Sequence, residues 1–308
     1  MPTQTNMIAT YLLLVFIWAT TPLAIVWSVT DLHPLWALAL RFFLALPFAF
    51  TLLWLFKTRF PLDKLSMHSY LAGACSFIGS QIFTYLATDY LSSGIIALMF
   101  GLAPIITGLI GRFVFQLKLY PSQWCGMAIA LLGLGIICVG GKDQHIQPVG
   151  IGLMLLSVFI YCVSMFWVKK VNAPLQPMAQ AAGSIAVSAL MACAMLPFIW
   201  QFAPTQMPQA KSLIGLGYAV VMASLIAMFC YFKLVQKIKA TTLSLTTVLT
   251  PMLAYLSAYF SMMKNYPVQQ LLVSAFCWRV YCYIFPEKLK PAMLPACHQQ
   301  TSTTKSAI

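Results

Sequence analysis

Ten apolar segments separated by short loops dominate this sequence. A helix that rises 1.5 Å per residue needs about 20 apolar residues to cross a hydrocarbon core about 30 Å thick. Of the 308 residues, 61% are hydrophobic and only 7% are charged, whereas soluble domains carry roughly 25% charged residues. The sequence therefore predicts an all-α integral membrane protein with ten transmembrane helices. The predicted helices cover residues 8–28, 34–56, 69–88, 94–115, 123–140, 148–168, 178–200, 212–235, 240–260 and 268–285.

Lysine and arginine concentrate in alternate loops, which is the pattern of the positive-inside rule. The opposite loops hold only Lys142, Lys211 and Lys264, and Arg41 and Arg279 fall within helices. This asymmetry predicts a multi-pass protein of the cell (inner or plasma) membrane with both termini in the cytoplasm. The predicted inner positions are Lys57, Arg59, Lys64, Arg112, Lys118, Lys169, Lys170, Lys233, Lys237, Lys239, Lys288, Lys290 and Lys305.

The net charge of +13 thus follows from membrane topology. A nucleic-acid surface would cluster basic residues on one domain with aromatic residues between them. The sequence has no such cluster, so the expected partners are the lipid bilayer and a small-molecule metabolite, and no nucleic acid.

The two halves of the chain echo each other. Val15–Ala19 opens the first half as Val158–Cys162 opens the second, and a Ser/Thr/Ala-rich segment precedes both Pro104 and Pro251. Five predicted helices come before the repeat point, and an odd number inverts the second copy relative to the membrane. The predicted units are two inverted five-helix repeats, 1–145 and 146–290, followed by a cytoplasmic tail, 291–308.

These motifs resemble the EamA-type drug/metabolite transporter superfamily over about residues 8–260. The resemblance rests on Trp18-Ala19-Thr20, on Leu102-Ala103-Pro104, on the glycine-spaced segment from Gln123 to Gly140, and on Thr241 through Pro251. It implies five plus five helices and a secondary transporter. We expect the solute to be a small polar or amphipathic metabolite that is exported, and a homodimer is one assembly that the resemblance allows. The alternative is a non-transporting or inactive membrane protein, either a degenerate gene product or a sensor.

Two segments depart from the family pattern. Gln116 and Leu117 stand where a Gly-Glu pair is usual, and residues 261–284 make a poor tenth helix with Arg279 deep inside it. Read one nucleotide earlier, the codons of Met262 to Tyr266 encode four residues in a fixed order: Asp, then Glu, then either Lys or Glu, then Leu. This reading restores the expected glutamate. One hypothesis is that residues 261–284 are translated out of frame, and the other is a divergent tenth helix. Resequencing the locus separates them.

Several polar or aromatic side chains at predicted membrane depth are candidates for solute binding. Trp18 and Tyr161 occupy matching places in the two repeats and suit stacking and hydrogen bonding of a solute. Arg41 lies within the second helix, where a charge faces a cavity or a partner, or extends to the interface. Gln81, Thr84 and Tyr85 share one helical face. For each of these residues, ordinary helix packing is the competing interpretation.

The two matched prolines are candidate kinks or gates. Pro104 and Pro251 each remove a backbone hydrogen bond inside a predicted helix, and Thr247 and Thr250 could reach the same region. No metal site and no cofactor are expected, because the nine cysteines are scattered without a C-x-x-C pair. Gly133-Leu134-Gly135 lacks the strand and the Gly-Lys-Ser/Thr of a nucleotide loop, so transport driven by ATP is not expected. The sequence has no cluster of His, Asp or Glu at predicted membrane depth, and we therefore expect no enzyme activity.

Overall fold

The computed structural model describes residues 4–114, 116, 147–238, 243 and 246. The first half begins with two long helices, α1 (Gln4–Ser28) and α2 (Pro34–Leu55). A composite third span follows, built from α3 (Lys64–Ala74), a π-helical segment (Cys75–Ser80), α4 (Gln81–Leu86) and a 3-10 turn (Ala87–Asp89). Two shorter helices then run end to end, α5 (Ser93–Phe100) and α6 (Ala103–Phe113).

The described part of the second half has the same kinds of elements. Two long helices come first, α7 (Pro148–Val171) and α8 (Pro177–Ile199), and α8 ends in a 3-10 turn (Trp200–Phe202). A composite span follows, built from α9 (Ala210–Tyr218), a π-helical segment (Ala219–Ile226) and α10 (Ala227–Val235).

The prediction of an all-α membrane protein is confirmed for the described residues, whose regular structure is entirely helical. Six helical spans there are long and apolar enough to cross a bilayer: Asn6–Ser28, Pro34–Leu55, Ser93–Phe113, Pro148–Val171, Pro177–Phe202 and Ala210–Val235. Their outer surfaces expose large apolar side chains, such as Phe16, Trp54 and Phe198. The predicted helices 123–140, 240–260 (Leu243 and Thr246 excepted) and 268–285 lie outside the described residues.

The composite third span is the most polar of the described spans and packs inside the bundle. It contacts α7 along its length and α8 through α3. Its hydroxyls are used in these contacts: Ser69 donates to Gln180 Oε1 at 2.6 Å, and the amide nitrogen of Gln180 donates back to Ser69 O at 2.8 Å. The buried hydroxyl groups of this span therefore join helices.

Other helix pairs also connect the two halves. α1 packs on α9 and α10, and α2 packs on α8. A hydrogen bond between Thr20 and Tyr218 lies in the α1–α9 contact. The helices approach closely there because Gly215 presents only a hydrogen atom to the backbone of α1.

The two ends of the bundle differ in charge. At one end Asp31 Oδ2 accepts from the backbone of Gln209 at 3.0 Å and from Ser212 at 2.9 Å, and so caps α9. At the other end Lys169 Nζ donates to the carbonyls of Val235 at 2.7 Å and Ile238 at 2.5 Å, beyond the end of α10. The basic residues described at this second end are Lys57, Arg59, Lys64, Arg112, Lys169, Lys170, Lys233 and Lys237, against Lys211 alone at the first.

Pro104 differs from the sequence-based expectation of a proline inside a continuous helix. The helix is interrupted at Gly101 and Leu102, and Pro104 occupies the first turn of α6. The missing N–H costs nothing at that position, since the first N–H groups of a helix lack intrahelical partners. Pro104 therefore starts a helix, and the interruption precedes it.

Substitution at Gly215 tests the close contact between α1 and α9. A Cβ atom on Gly215 would lie 2.7 Å from Ala24 O and 2.7 Å from Ser28 N, which are backbone atoms that cannot rotate away. We expect Gly215→Ala to destabilise the protein by about 1–3 kcal/mol, the usual cost of overpacking, and to lower the Tm of detergent-purified protein.

Gly217, two residues along the same helix, is the matched control. A Cβ atom there meets nothing within 4 Å, and alanine is a better helix former than glycine by roughly 0.5–1 kcal/mol. Gly217→Ala should leave the Tm unchanged or slightly raised. A Gly215→Ala protein as stable as Gly217→Ala would contradict the packing described.

Candidate functional site: a cavity around a buried arginine

A cavity of about 70 Å³ lies between the two halves of the chain. A water molecule needs roughly 10–15 Å³ of such space, so the cavity holds several waters or a small solute in this conformation. It extends along α1 from Trp18 to Ile25, about 10 Å at 1.5 Å per residue, toward the end of the bundle capped by Asp31. Its walls are formed by Trp18, Thr21, Pro22, Ile25, Arg41, Ser76, Gln81, Phe100, Tyr161, Ala223 and Met228.

Arg41 supplies the positive charge of this cavity. Its side chain is only 2% exposed and turns inward instead of extending to the interface. Nε donates to Ser224 Oγ at 2.8 Å, and Nη1 donates to Gln81 Oε1 at 3.3 Å. Ser224 in turn donates its own proton to Ala219 O at 2.9 Å, which leaves its oxygen free to accept from Arg41. The guanidinium group is thus held by one residue from each half of the chain.

Both partners of Arg41 belong to spans that contain π-helical segments. Gln81 follows directly after Cys75–Ser80, and Ser224 lies within Ala219–Ile226. A π-helical turn holds an extra residue and is frequent at functional sites. The two segments widen the third span and the composite span Ala210–Val235 beside the cavity, where Gln81 and Ser224 contact Arg41.

Three aromatic side chains form one wall of the cavity and the layer behind it. The ring centroid of Trp18 lies 5.9 Å from that of Tyr161 and 5.6 Å from that of Tyr231, while the two tyrosine rings are 6.1 Å apart. Phe100 meets Tyr161 edge to face at 6.4 Å. These separations fall in the favourable range for aromatic pairs, so the cluster is a rigid apolar surface next to the charge.

Four residues that the sequence singled out therefore line one cavity: Trp18, Arg41, Gln81 and Tyr161. Thr84 does not reach it, because its hydroxyl is hydrogen-bonded to Ser157 of α7 at 2.7 Å. Tyr85 is fully buried in the apolar core. Thr247, Thr250 and Pro251 lie outside the described residues.

Sequence reasoning missed Ser224 and Tyr231. A serine in an apolar helix carries little signal alone. However, Ser224 lies 143 positions after Gln81, the same spacing that separates Tyr161 from Trp18. A search for polar residues at that spacing would have found it.

A ring contact and an ionisable pair lie outside the spans, at the end of the bundle where Asp31 lies. His33 stacks on Phe202 with centroids 4.0 Å apart, and its Nδ1 accepts from the backbone of Leu35 at 3.3 Å, capping α2. Burial lowers the pKa of His33, and the nearby Asp89 carboxylate partly opposes that change. Burial also raises the pKa of Asp89, which His33 partly opposes.

The fold and the cavity together define a class: multi-pass helical membrane proteins with an internal cavity that contains a buried arginine. The EamA-like transporter family matches residues 5–139 and 148–279. The chain therefore belongs to the EamA-like transporter family.

Curated relatives agree with this assignment. The chain is 25% identical over 245 residues to the uncharacterized inner membrane transporter YedA of Escherichia coli K12, covering 79% of this chain and 78% of YedA. It is also 25% identical over 257 residues to protein PagO of Salmonella typhimurium LT2, covering 79% of this chain and 81% of PagO. A solved crystal structure shares the fold, with a TM-score of 0.69 at 14% identity, over 92% of this chain and 98% of its own.

The pKa of His33 predicts a pH-dependent stability at this end of the bundle. A histidine with a lower pKa in the folded state binds fewer protons when folded. Its stabilising contribution is thus complete above the unfolded pKa near 6.5 and is lost progressively as the pH falls below that value, through the lower pKa of the folded state. We expect the Tm to be lower at pH 6.0 than at pH 7.5. Asp89 acts in the opposite direction, at more acidic pH, since its pKa is raised.

His33→Asn is the informative variant, because asparagine retains the helix cap but does not titrate. The difference in Tm between pH 7.5 and pH 6.0 should be smaller in His33→Asn than in the unmodified protein. An equal difference in the two proteins would show that another group causes the pH dependence.

Proposed function

We propose that the protein is a secondary transporter that exports a small polar or amphipathic metabolite across the cytoplasmic membrane. The observation that carries this proposal is a cavity at membrane depth, lined by residues of both halves and containing the buried Arg41. Secondary transporters with repeated architecture bind solute between their halves near the midplane. In this proposal the chain has no enzymatic activity and needs no cofactor.

The proposed architecture is ten helices in two inverted repeats, 1–145 and 146–290, with a tail at 291–308. The matched elements support it. Pro34 and Pro177 begin α2 and α8, and a π-helical segment occurs in both composite spans. Packing is reciprocal as well: the first span contacts the eighth, the sixth contacts the third, and the second contacts the seventh. Exchange of the two halves by a two-fold axis would produce this pattern.

The orientation follows from the positive-inside rule. The end of the bundle that holds most of the described lysines and arginines faces the cytoplasm in this proposal, as do both termini. The proposed partners are lipid around the apolar surface and one metabolite in the cavity; a homodimer is the assembly that we propose to test by light scattering.

Reporter fusions test the orientation. Alkaline phosphatase is active only outside the cytoplasm, so we expect a fusion after Asp143 to be active and a fusion after Lys170 to be inactive. Both fusions should be compared at equal expression, measured by immunoblot. The reverse pattern would refute the proposed topology.

Solute fluxes test the function. Cells that overproduce the chain should release at least one small metabolite faster than cells with an empty vector, as measured by mass spectrometry of the medium over a broad panel. Membrane insertion must be verified by fractionation. Unchanged uptake and efflux over the whole panel, with the protein in the membrane, would favour a non-transporting membrane protein instead.

A further inference from the structure

We infer that Arg41, positioned by Gln81 and Ser224, binds the carboxylate of a small monoanionic organic acid whose apolar part lies against Trp18 and Tyr161. This inference rests on the proposed function and names the substrate class of the same cavity.

Among the described residues, the hydrogen-bond partners of Arg41 include no acidic group. The whole sequence contains five acidic residues: Asp31, Asp63, Asp89, Asp143 and Glu287. None of the five lies within a span predicted from the sequence, and Asp143 and Glu287 lie outside the described residues. Asp31 caps α9, Asp63 caps α3, and Asp89 lies near His33.

A buried guanidinium group without a counter-ion is costly, because removing a charge from water is unfavourable unless it is paired. Its two described hydrogen-bond partners, Gln81 and Ser224, are neutral, so neither of them compensates the charge. A negatively charged solute would compensate it. The chemistry of Arg41 therefore selects an anion and disfavours a cation.

The geometry of the guanidinium donors also suits a carboxylate. Hydrogen bonds to described residues occupy Nε and Nη1, through Ser224 at 2.8 Å and Gln81 at 3.3 Å. Arg41 also lines the cavity, and an arginine presents five N–H donors in a planar fork. Donors that these two contacts leave over suit a carboxylate, which accepts two parallel hydrogen bonds from such a fork.

The number of charges in the cavity favours a monoanion. Apart from Arg41, the described residues that line the cavity are neutral and mostly apolar. One guanidinium balances one negative charge, whereas a phosphate monoester carries about 1.5 to 2 at pH 7. The cavity thus fits a carboxylate better than a phosphate.

The position of the aromatic surface indicates where the apolar part of the solute lies. Trp18 and Tyr161 line the same small cavity as Arg41 and are held at a centroid separation of 5.9 Å. Flat apolar groups pack well on such rings. A solute with a carboxylate at one end and an apolar or aromatic group at the other satisfies both surfaces.

Calorimetric titration of the purified full-length protein in detergent tests this inference with four matched probes. Phenylacetate is the acid, phenylacetamide is its uncharged counterpart, phenethylamine is the cation, and phenyl phosphate is the more highly charged anion. We expect phenylacetate to bind at least tenfold more tightly than each of the other three. Phenyl phosphate binding as tightly as phenylacetate would overturn the assignment to carboxylates.

Two arginine variants distinguish binding of the probe at the cavity from partitioning of the probe into the detergent micelle. Arg41→Gln should weaken phenylacetate binding at least tenfold. Arg112→Gln, at an exposed position in the last turn of α6, should bind phenylacetate as the unmodified protein does. Equal binding by Arg41→Gln and the unmodified protein, or no binding of phenylacetate to either, would overturn the inference.

Variants of the positioning residues cover the case in which Arg41→Gln does not fold. Gln81→Ala and Ser224→Ala each remove one contact to Arg41 and should weaken phenylacetate binding about three- to tenfold, with a smaller effect on phenylacetamide. Loss of affinity for both probes to the same extent would indicate a general packing defect and contradict the specific role.

Flux measurements in proteoliposomes separate this inference from the proposed function. Transport of neutral or cationic solutes without preference for carboxylates would leave the proposed function standing and overturn the carboxylate site. Tight phenylacetate binding without any flux over the broad panel would support the site and overturn transport.

Discussion

The bilayer requires every backbone polar group to be satisfied within the protein, and the rest of the structure depends on this constraint. Regular helices satisfy it along most of the described spans. Irregular backbone at membrane depth is tolerated only where it is buried or lines a cavity. The departures from α geometry obey that rule: Ser76 and Ala223 lie in the two π-helical segments, Phe100 precedes the break before α6, and all three line the cavity. The irregular segments and the cavity are therefore parts of one arrangement.

The described helices could be predicted from the sequence because length and hydropathy determine which segments enter a bilayer. Individual side chains were harder. Arg41 could be selected from the sequence because a charge at that depth needs polar surroundings. Trp18 and Tyr161 could be selected because the repeat places them at matched positions. All three line the cavity.

Gln81 and Thr84 show where sequence reasoning fails. Three-residue spacing puts both on one face of an ideal helix, yet Gln81 contacts Arg41 and Thr84 bonds to Ser157. The sequence could not reveal that the π-helical segment Cys75–Ser80 changes the helical rotation just before these residues. It also could not reveal that Ser157 of α7 lies within hydrogen-bond distance of Thr84. The sequence also did not reveal that the helix is interrupted at Gly101 and Leu102, just before Pro104.

The proposed two-fold relation between the halves makes their differences informative. The position that matches Arg41, 143 residues later, is Ser184. It accepts from Gln180 at 3.2 Å and carries no charge. In the proposed arrangement, a scaffold with two-fold symmetry holds an asymmetric cavity, with the charge on α2 and the aromatic wall shared between α1 and α7. A solute with an anionic end and an apolar end would bind such a site in one orientation only, since the reverse orientation would leave Arg41 without its counter-ion and place the carboxylate against aromatic rings.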